Sequence, residues 1–311
     1  MKKITLQISL AASDFKHAVH LLPHQIKILG SQADEILLTY DTHKSKGHFS
    51  KNWEADFNSM WNFLENLAAG DERITLVKID YSADTMKKIA STYFKRKTIP
   101  AKDWRGGPFY TYFYGLHKAK NDYVFHIDSD LFFGGLSQTW SKEAIELYEK
   151  DTQILFINPL AGPPKEDGKL IGQTYFNYKN LPFFFGFDSM STRLFLVDKA
   201  RLKSYPLLNI RTKNVNELIR ALVKGNPSFK LPEEIISDLM IKTKMIRVDF
   251  IGEAPGLWSL HPPYRTTQFY EDLPEIIKRI ELNDVPASQK GFYDIVDEFV
   301  DWTVAKSNLK S

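Results

Sequence analysis

The first 130 residues alternate short apolar runs with segments whose apolar residues recur at helical spacing. The runs predict strands at 4–10, 35–40, 74–79 and 123–127. Between them the spacing predicts helices, for example at 15–29, where Gly30 follows at the place where a helix would end. Strands that alternate with helices over this length indicate a largely parallel sheet with right-handed crossovers. The pattern therefore predicts an α/β fold.

The second half of the chain is less regular. Apolar runs predict strands at 154–157, 194–197 and 245–251, and the segment 231–242 predicts a helix with Pro232 in its first turn. Near the C-terminus, 295–304 reads as an amphipathic helix with an acidic polar face. Anionic lipid would repel that face, so we expect the helix to pack on the protein and not on a membrane.

Composition sets limits on the class of protein. The 311 residues are 43% hydrophobic and 25% charged, which supports one large domain or two small ones. The absence of cysteine excludes disulfides and cysteine zinc sites and fits a reducing compartment. A net charge of +3 is too small to indicate a nucleic-acid partner. No apolar segment approaches the ~20 residues of a membrane span, so we expect a cytoplasmic protein, with peripheral association at the inner face of the membrane left open.

The triplet Asp128-Ser129-Asp130 directly follows the predicted strand 123–127. Ligands of an α/β sheet bind beyond the carboxyl ends of its parallel strands. Mg²⁺ and Mn²⁺ prefer oxygen ligands and usually take one or two protein carboxylates, which leaves positions for phosphate and water. Elsewhere in a chain such a triplet is usually a solvated turn or a helix cap. After a buried strand, we interpret it as a site for a metal ion and a diphosphate.

With this motif the chain resembles nucleotide-sugar glycosyltransferases of the GT-A fold, in the layout of family 2 and its relatives, over roughly residues 1–265. In those enzymes a strand ends in an Asp-x-Asp that binds metal and diphosphate. The resemblance implies a GT-A (Rossmann-like) α/β fold whose mixed, mostly parallel central sheet is flanked by helices. The resemblance also implies a single catalytic domain, 1–265, with a nucleotide-sugar-binding half (1–135) and an acceptor-binding half (136–265). A helical C-terminal extension (266–311) follows this domain.

The resemblance also implies roles for residues outside the triplet. The end of the second strand contacts the nucleotide base, and Asp41 takes that place, beside Ala11 at the end of the first strand. A basic residue before the helix that precedes the metal strand contacts the nucleotide, which matches Arg105 with Gly106. A histidine from a C-terminal loop is a third metal ligand in many of these enzymes, which matches His261. The implied ligands of Mn²⁺ or Mg²⁺ are Asp128, Asp130 and His261.

An inverting enzyme also needs a base for the acceptor hydroxyl. In inverting GT-A enzymes this carboxylate belongs to a Glu-Asp type pair at the start of a late helix, and Glu233-Glu234 has that form. We expect Glu234 to be the base, with Glu233 and Asp238 as alternatives. Acidic residues also favour the first turn of any helix because of its dipole, so the pair has a structural interpretation as well.

Structural interpretations stay open for the other candidates too. His261 could be a surface loop residue, Arg105 a surface ion-pair residue and Asp41 a turn residue. The glycines at 106 and 107 either open the following helix or bring backbone N–H groups to phosphate. The basic stretch 87–102 is either a solvated helix face or a surface for anionic lipid or a diphosphate-linked acceptor.

The function that the resemblance implies is metal-dependent transfer of a sugar from a nucleotide-diphosphate sugar, a UDP-sugar in the first instance, to a hydroxyl of a glycan or lipid-linked saccharide in bacterial surface polysaccharide synthesis. A sugar nucleotidyltransferase is one alternative, but its usual Gly-rich, Arg-containing loop is replaced here by Ala11-Ala12-Ser13-Asp14. A non-catalytic carbohydrate-binding protein of the same fold is the other, and it would not need the intact Asp pair. The sequence leaves the sugar, the linkage and the oligomeric state open.

Overall fold

The computed structural model describes residues 2–44, 53–206, 208–210, 219, 223, 227 and 229–308. Strands and helices alternate along them, as predicted for the first half. The strands are β1 (Ile4–Ala11), β2 (Glu35–Asp41), β3 (Ile74–Lys78), β4 (Tyr123–Asp128), β5 (Phe132–Gly134), β6 (Ile154–Ala161), β7 (Phe176–Asn177), β8 (Phe184–Phe187), β9 (Leu194–Asp198), β10 (Ile246–Phe250) and β11 (Trp258–Leu260). The helices are α1 (Phe15–Leu29), α2 (Trp53–Ala69), α3 (Ala83–Tyr93), α4 (Tyr110–Lys118), α5 (Trp140–Lys150), α6 (Lys199–Ser204), α7 (Pro232–Thr243), α8 (Thr267–Glu281) and α9 (Thr303–Asn308).

The chain forms two compact units that are both discontinuous in sequence. The first consists of Met1–Phe15, Ala33–Asp128 and Asp188–Ile246. Its strands lie in the order β3-β2-β1-β4-β9. The first four are mutually parallel and β9 is antiparallel to β4. The predicted α/β class, with a mixed and mostly parallel sheet flanked by helices, is confirmed by this arrangement.

The central strands of the first unit are buried along most of their length, as expected of parallel strands covered on both faces. In the registers of the parallel ladders, Ala11 pairs with Asp41 and Ser9 with Asp128. The carboxyl ends of β1, β2 and β4 therefore lie at one edge of this sheet, where an α/β sheet binds its ligands.

The second unit consists of Lys16–Gln32, Ser129–Phe187 and Arg247–Ser311. It contains the strand order β6-β10-β8-β7, and β11 lies between β6 and β5. Its core joins side chains from distant parts of the sequence, among them Leu21, Phe132, Trp258, Phe269 and Trp302. Residues after 265, expected to be an extension, thus supply part of this core.

One predicted helix is wrong. The segment 295–304 is irregular until α9 begins at Thr303. Its backbone groups have partners elsewhere, because the N–H of Ile295 donates to the carbonyl of His261 and that of Val296 donates to Gln289 Oε1. The apolar pattern comes from Ile295, Phe299 and Trp302, which enter the core without a helix. Across the described ranges, no helix is both long and apolar enough to cross a membrane.

Candidate functional site

Three of the proposed nucleotide-binding residues end neighbouring strands of the first unit. Ala11 is the last residue of β1, Asp41 of β2 and Asp128 of β4. The parallel pairing of these strands brings their ends to the same edge, as the sequence predicts. The N–H of Ala11 donates to Asp14 Oδ2 at 2.9 Å, which closes the turn into α1.

Asp41 is a buried carboxylate with three donors around it. Its Oδ1 accepts from the Tyr81 hydroxyl at 2.7 Å and from the backbone N–H of His43 at 2.9 Å. Its Oδ2 accepts from Lys102 Nζ at 2.6 Å. A carboxylate has about four acceptor positions, and Asp41 uses three of them for these donors.

The loop with Arg105 and Gly106 folds around a carboxylate of its own. Asp103 Oδ1 accepts from the N–H groups of Arg105 and Gly107, and the N–H of Gly106 donates to the Asp103 carbonyl. Burial raises the pKa of Asp103. The exposed Arg105 guanidinium lies over the Trp104 ring, 5.1 Å from its centroid. The backbone donors of this loop thus bind Asp103 here, while the Arg105 side chain points to solvent.

Asp128 lies beside two buried rings of the same unit. Its Oδ1 is 3.4 Å from His126 Nε2, and the His126 ring meets the edge of Tyr112 with 5.2 Å between centroids. Burial raises the pKa of Tyr112 well above its ordinary value, and the charges of Asp128 and Glu233 raise it further. The charges of both carboxylates therefore act on this tyrosine.

The two glutamates at the start of α7 have different neighbours. Glu233 Oε2 accepts from Thr192 Oγ1 at 3.4 Å, and Thr192 also hydrogen-bonds Tyr112. Glu234 Oε2 accepts the N–H of Leu231 at 2.9 Å, which caps the helix. Glu233 is thus linked through Thr192 to Tyr112, the ring on which the charge of Asp128 also acts.

Asp238, the third candidate, lies one turn further along α7. Its Oδ2 is 3.4 Å from Lys230 Nζ, and the two side chains are 41% and 26% exposed. The contact is a partly exposed ion pair, which stabilises a protein only weakly.

Asp130 is one of the buried acids of the second unit. Its Oδ2 pairs with the Arg265 guanidinium and lies 3.8 Å from Nε2 of His261. Its Oδ1 is buried and has no hydrogen-bond partner among the described residues. We refer to Asp130, His261 and Arg265 as the Asp130 centre. The two metal ligands predicted in this unit are brought together here.

The Asp130 centre fits a divalent cation as a two-ligand site. An oxygen and an imidazole nitrogen that bind one ion at about 2.0–2.2 Å each lie at most about 4.4 Å apart. Here His261 Nε2 lies 3.8 Å from Asp130 Oδ2, the oxygen that also pairs with Arg265, while the oxygen without a partner among the described residues is Oδ1. A buried carboxylate oxygen without a partner is costly unless a cation or donor satisfies it. Within the ranges that the structure covers, no three His, Cys, Asp or Glu side chains gather closely enough to hold an ion by themselves. Phosphate and water would complete the shell, as is usual for Mg²⁺ and Mn²⁺. Asp128 as a further ligand stays a prediction.

Ser129, between the two aspartates, contacts a histidine that the sequence did not point to. His17 Nε2 lies 3.2 Å from Ser129 Oγ. Burial lowers the pKa of His17 well below its ordinary value, and the charge of Arg265 lowers it further. This neutral ring on α1 supports the turn that presents Asp130.

Sequence reasoning also missed Lys102, Arg265 and Asp294. Lys102 pairs with Asp41, Arg265 with Asp130 and Asp294 with His261. Each partner is between 33 and 135 residues away in the chain, so local patterns carry no signal for it. Arg265 alone has a partial signal in the sequence, because it lies four residues after His261 in a loop already predicted to supply a metal ligand.

Comparison with known proteins gives distant structural neighbours. No family model matches the chain, and no curated protein matches it. Among solved structures, a fragment of S. aureus TarS in complex with UDP-GlcNAc aligns at a TM-score of 0.37 and 11% identity, over 82% of this chain and 58% of that one. The galactosyltransferase LgtC with donor and acceptor sugar analogues aligns at 0.30 and 10%, over 65% and 60%. The chain thus spans less than two thirds of these proteins' length, and likeness at this level supports no function by itself.

Proposed function

We propose that this chain is a metal-dependent glycosyltransferase that transfers a sugar from a nucleoside-diphosphate sugar to an acceptor hydroxyl. The Asp130 centre carries the proposal. It combines a buried carboxylate with an imidazole and a guanidinium, and one carboxylate oxygen has no hydrogen-bond partner within the described residues. This set of side chains suits a cation that also binds the donor's diphosphate.

Each member of the centre has a distinct task in donor binding. Asp130 and His261 would hold the cation, which when bound would offset the charge that develops on the departing diphosphate. Arg265 pairs with Asp130 here, and its planar guanidinium also matches phosphate oxygens. Its partial exposure, 38%, leaves it accessible to a ligand.

The donor's nucleoside is assigned to the first unit. Asp41 accepts an N–H of the base, and Lys102 holds this carboxylate in place through its 2.6 Å contact. Arg105 contacts the nucleotide from the loop at 103–107. Ala11 and Gly106 border the nucleotide at the sheet edge and in that loop. A UDP-sugar is the donor that we propose.

The transfer itself needs a base. In an inverting reaction the acceptor oxygen bonds to the anomeric carbon, the bond from that carbon to the diphosphate oxygen breaks, and the acceptor proton leaves for a carboxylate. We assign this carboxylate to Glu233, because Glu234 already caps α7 and Asp238 pairs with Lys230. The acceptor is a glycan or a lipid-linked saccharide of bacterial surface polysaccharide, and the site of action is the cytoplasm or the inner face of the membrane.

The proposal is tested by donor binding with and without metal. The protein is titrated with a panel of nucleoside-diphosphate sugars in the presence of Mn²⁺ and then of a chelator, with calorimetry and donor hydrolysis as readouts. We expect binding of at least one donor, lost on chelation, and an affinity weakened at least about tenfold by Asp130→Asn.

The matched control is Asp272→Asn, which changes an exposed aspartate of α8 that hydrogen-bonds Gln268. It should bind the donor like the wild type. Donor binding that survives both the chelator and Asp130→Asn, or no binding to any member of the panel, would reject the proposal.

A further inference from the structure

The His261 ring is held by the segment that follows α8. The N–H of His261 donates to the carbonyl of Tyr293, and the N–H of Ile295 donates to the carbonyl of His261, both at 3.0 Å. This pairing forms a parallel bridge between His261 and Asp294. The Tyr293 ring stacks on the imidazole, with 5.8 Å between centroids and 12° between planes. Backbone and ring together fix where the histidine stands.

Asp294 adds a contact that determines which ring nitrogen carries the proton. Its Oδ1 lies 2.9 Å from His261 Nδ1. A carboxylate oxygen accepts from Nδ1 when Nδ1 carries the hydrogen, so this contact favours the Nδ1–H tautomer. In the neutral ring the lone pair is then on Nε2, the nitrogen that lies 3.8 Å from Asp130 Oδ2. The opposite tautomer would direct an N–H toward Asp130.

We infer that Asp294 is the positioning residue for His261, and that it selects the tautomer whose Nε2 lone pair is directed at the cation position beside Asp130. This inference rests on the proposed function, because it takes Asp130 and His261 as cation ligands. A carboxylate behind a metal-binding histidine fixes the ring and raises its basicity.

The contact between Asp294 and His261 contributes little to the stability of the fold. Asp294 is 61% exposed, and an exposed ion pair of this kind adds little to the free energy of unfolding. Its geometry toward His261, by contrast, is set by backbone hydrogen bonds on both sides of the bridge. A contact that is weak for stability but firmly oriented is suited to orienting the ring.

The test compares Asp294→Asn with the wild-type chain of 311 residues. An amide can accept from Nδ1–H or donate to a bare Nδ1, so the substitution removes the selection of one tautomer. We expect Mn²⁺ affinity, measured by electron paramagnetic resonance on the nucleotide-free protein, to weaken about 10–100-fold. We also expect the ¹⁵N spectrum of the metal-free protein, recorded where the ring is neutral, to show a larger share of the Nε2–H tautomer.

Two further variants separate positioning from a general surface effect. Asp294→Glu keeps a carboxylate and should recover most of the affinity and the Nδ1–H tautomer. Asp297→Asn changes an aspartate of nearly equal exposure, 58%, that pairs with Lys306, and should behave like the wild type. Wild-type affinity and an unchanged tautomer in Asp294→Asn would overturn the inference and leave the proposed function standing. If the wild type itself binds no Mn²⁺, the metal-dependent function fails, and the tautomer alone then decides whether Asp294 orients His261.

Discussion

At the scale of single residues, Glu233 and Glu234 have similar sequence contexts and different contacts. Neighbours on a helix point about 100° apart, so only one can turn toward Thr192 while the other reaches back to Leu231. The sequence predicts an acidic helix start but has no means of distinguishing the two. It likewise predicts Asp41 at a strand end, but not Lys102, its partner 61 residues later.

We predict that Glu233→Gln lowers kcat by a factor of about 10²–10⁴ while the donor dissociation constant changes little, because a base acts on the acceptor proton and not on donor binding. Glu234→Gln is the control, since a glutamine at this position can still cap the helix. Steady-state kinetics together with donor titration measure both effects. A larger loss of kcat in Glu234→Gln than in Glu233→Gln would return the base to Glu234.

At the scale of elements, long buried strands are predictable and short ones are not. The strand β4 has six consecutive residues whose apolar run is visible in the sequence. In contrast, β5 and β11 have three residues each and exist because they pair with each other. In the irregular segment at 295–302, apolar residues recur at helical spacing although no helix forms. They recur because their side chains enter the core.

The pairing of β5 with β11 leads to a prediction about packing. Gly134 faces Trp258, and a Cβ on Gly134 would overlap the buried indole. We expect Gly134→Ala to lower the free energy of unfolding by about 1–3 kcal/mol, as overpacking in a core does. At Gly70 a Cβ would be in ordinary contact with the carbonyl oxygens of Leu67 at 3.5 Å and Asn66 at 3.9 Å, so Gly70→Ala should change the free energy of unfolding far less. Urea unfolding of the two variants measures the difference, and equal stabilities would contradict the overlap.

At the scale of the whole molecule, residues far apart in sequence meet in each unit. His24 on α1 accepts the N–H of Phe133 at Nε2, and its Nδ1 lies 2.9 Å from Glu281 Oε1 on α8. The N–H of Phe133 can only donate, so the ring must be neutral. No local pattern predicts a contact across 257 residues, which is why the sequence indicates the class of fold but not how the C-terminal part joins it.

This contact makes stability depend on pH. Burial lowers the pKa of His24 from 6.5, and this outweighs the opposite effect of Glu281. The unfolded chain therefore takes up the proton more readily, so the free energy of unfolding falls as the pH drops below about 6.5. Between about pH 7.5 and pH 5, we expect the wild type to lose more stability than His24→Gln, which cannot be protonated. Urea unfolding at both pH values provides the comparison, and equal losses would show that His24 is not the titrating group.

The interleaved sequence of the two units has a consequence for the biosynthesis of the chain. The second unit needs residues 16–32, 129–187 and 247 onward. While a ribosome translates the middle of the chain, Leu21 and Phe132 have been made but their core partners Phe269 and Trp302 have not. Apolar surface of the nascent chain therefore stays uncovered until Phe269 and Trp302 have been translated. Compared with a chain whose domains are completed in order, such a chain relies more on chaperones, or on a slow rate of aggregation, to reach its folded state.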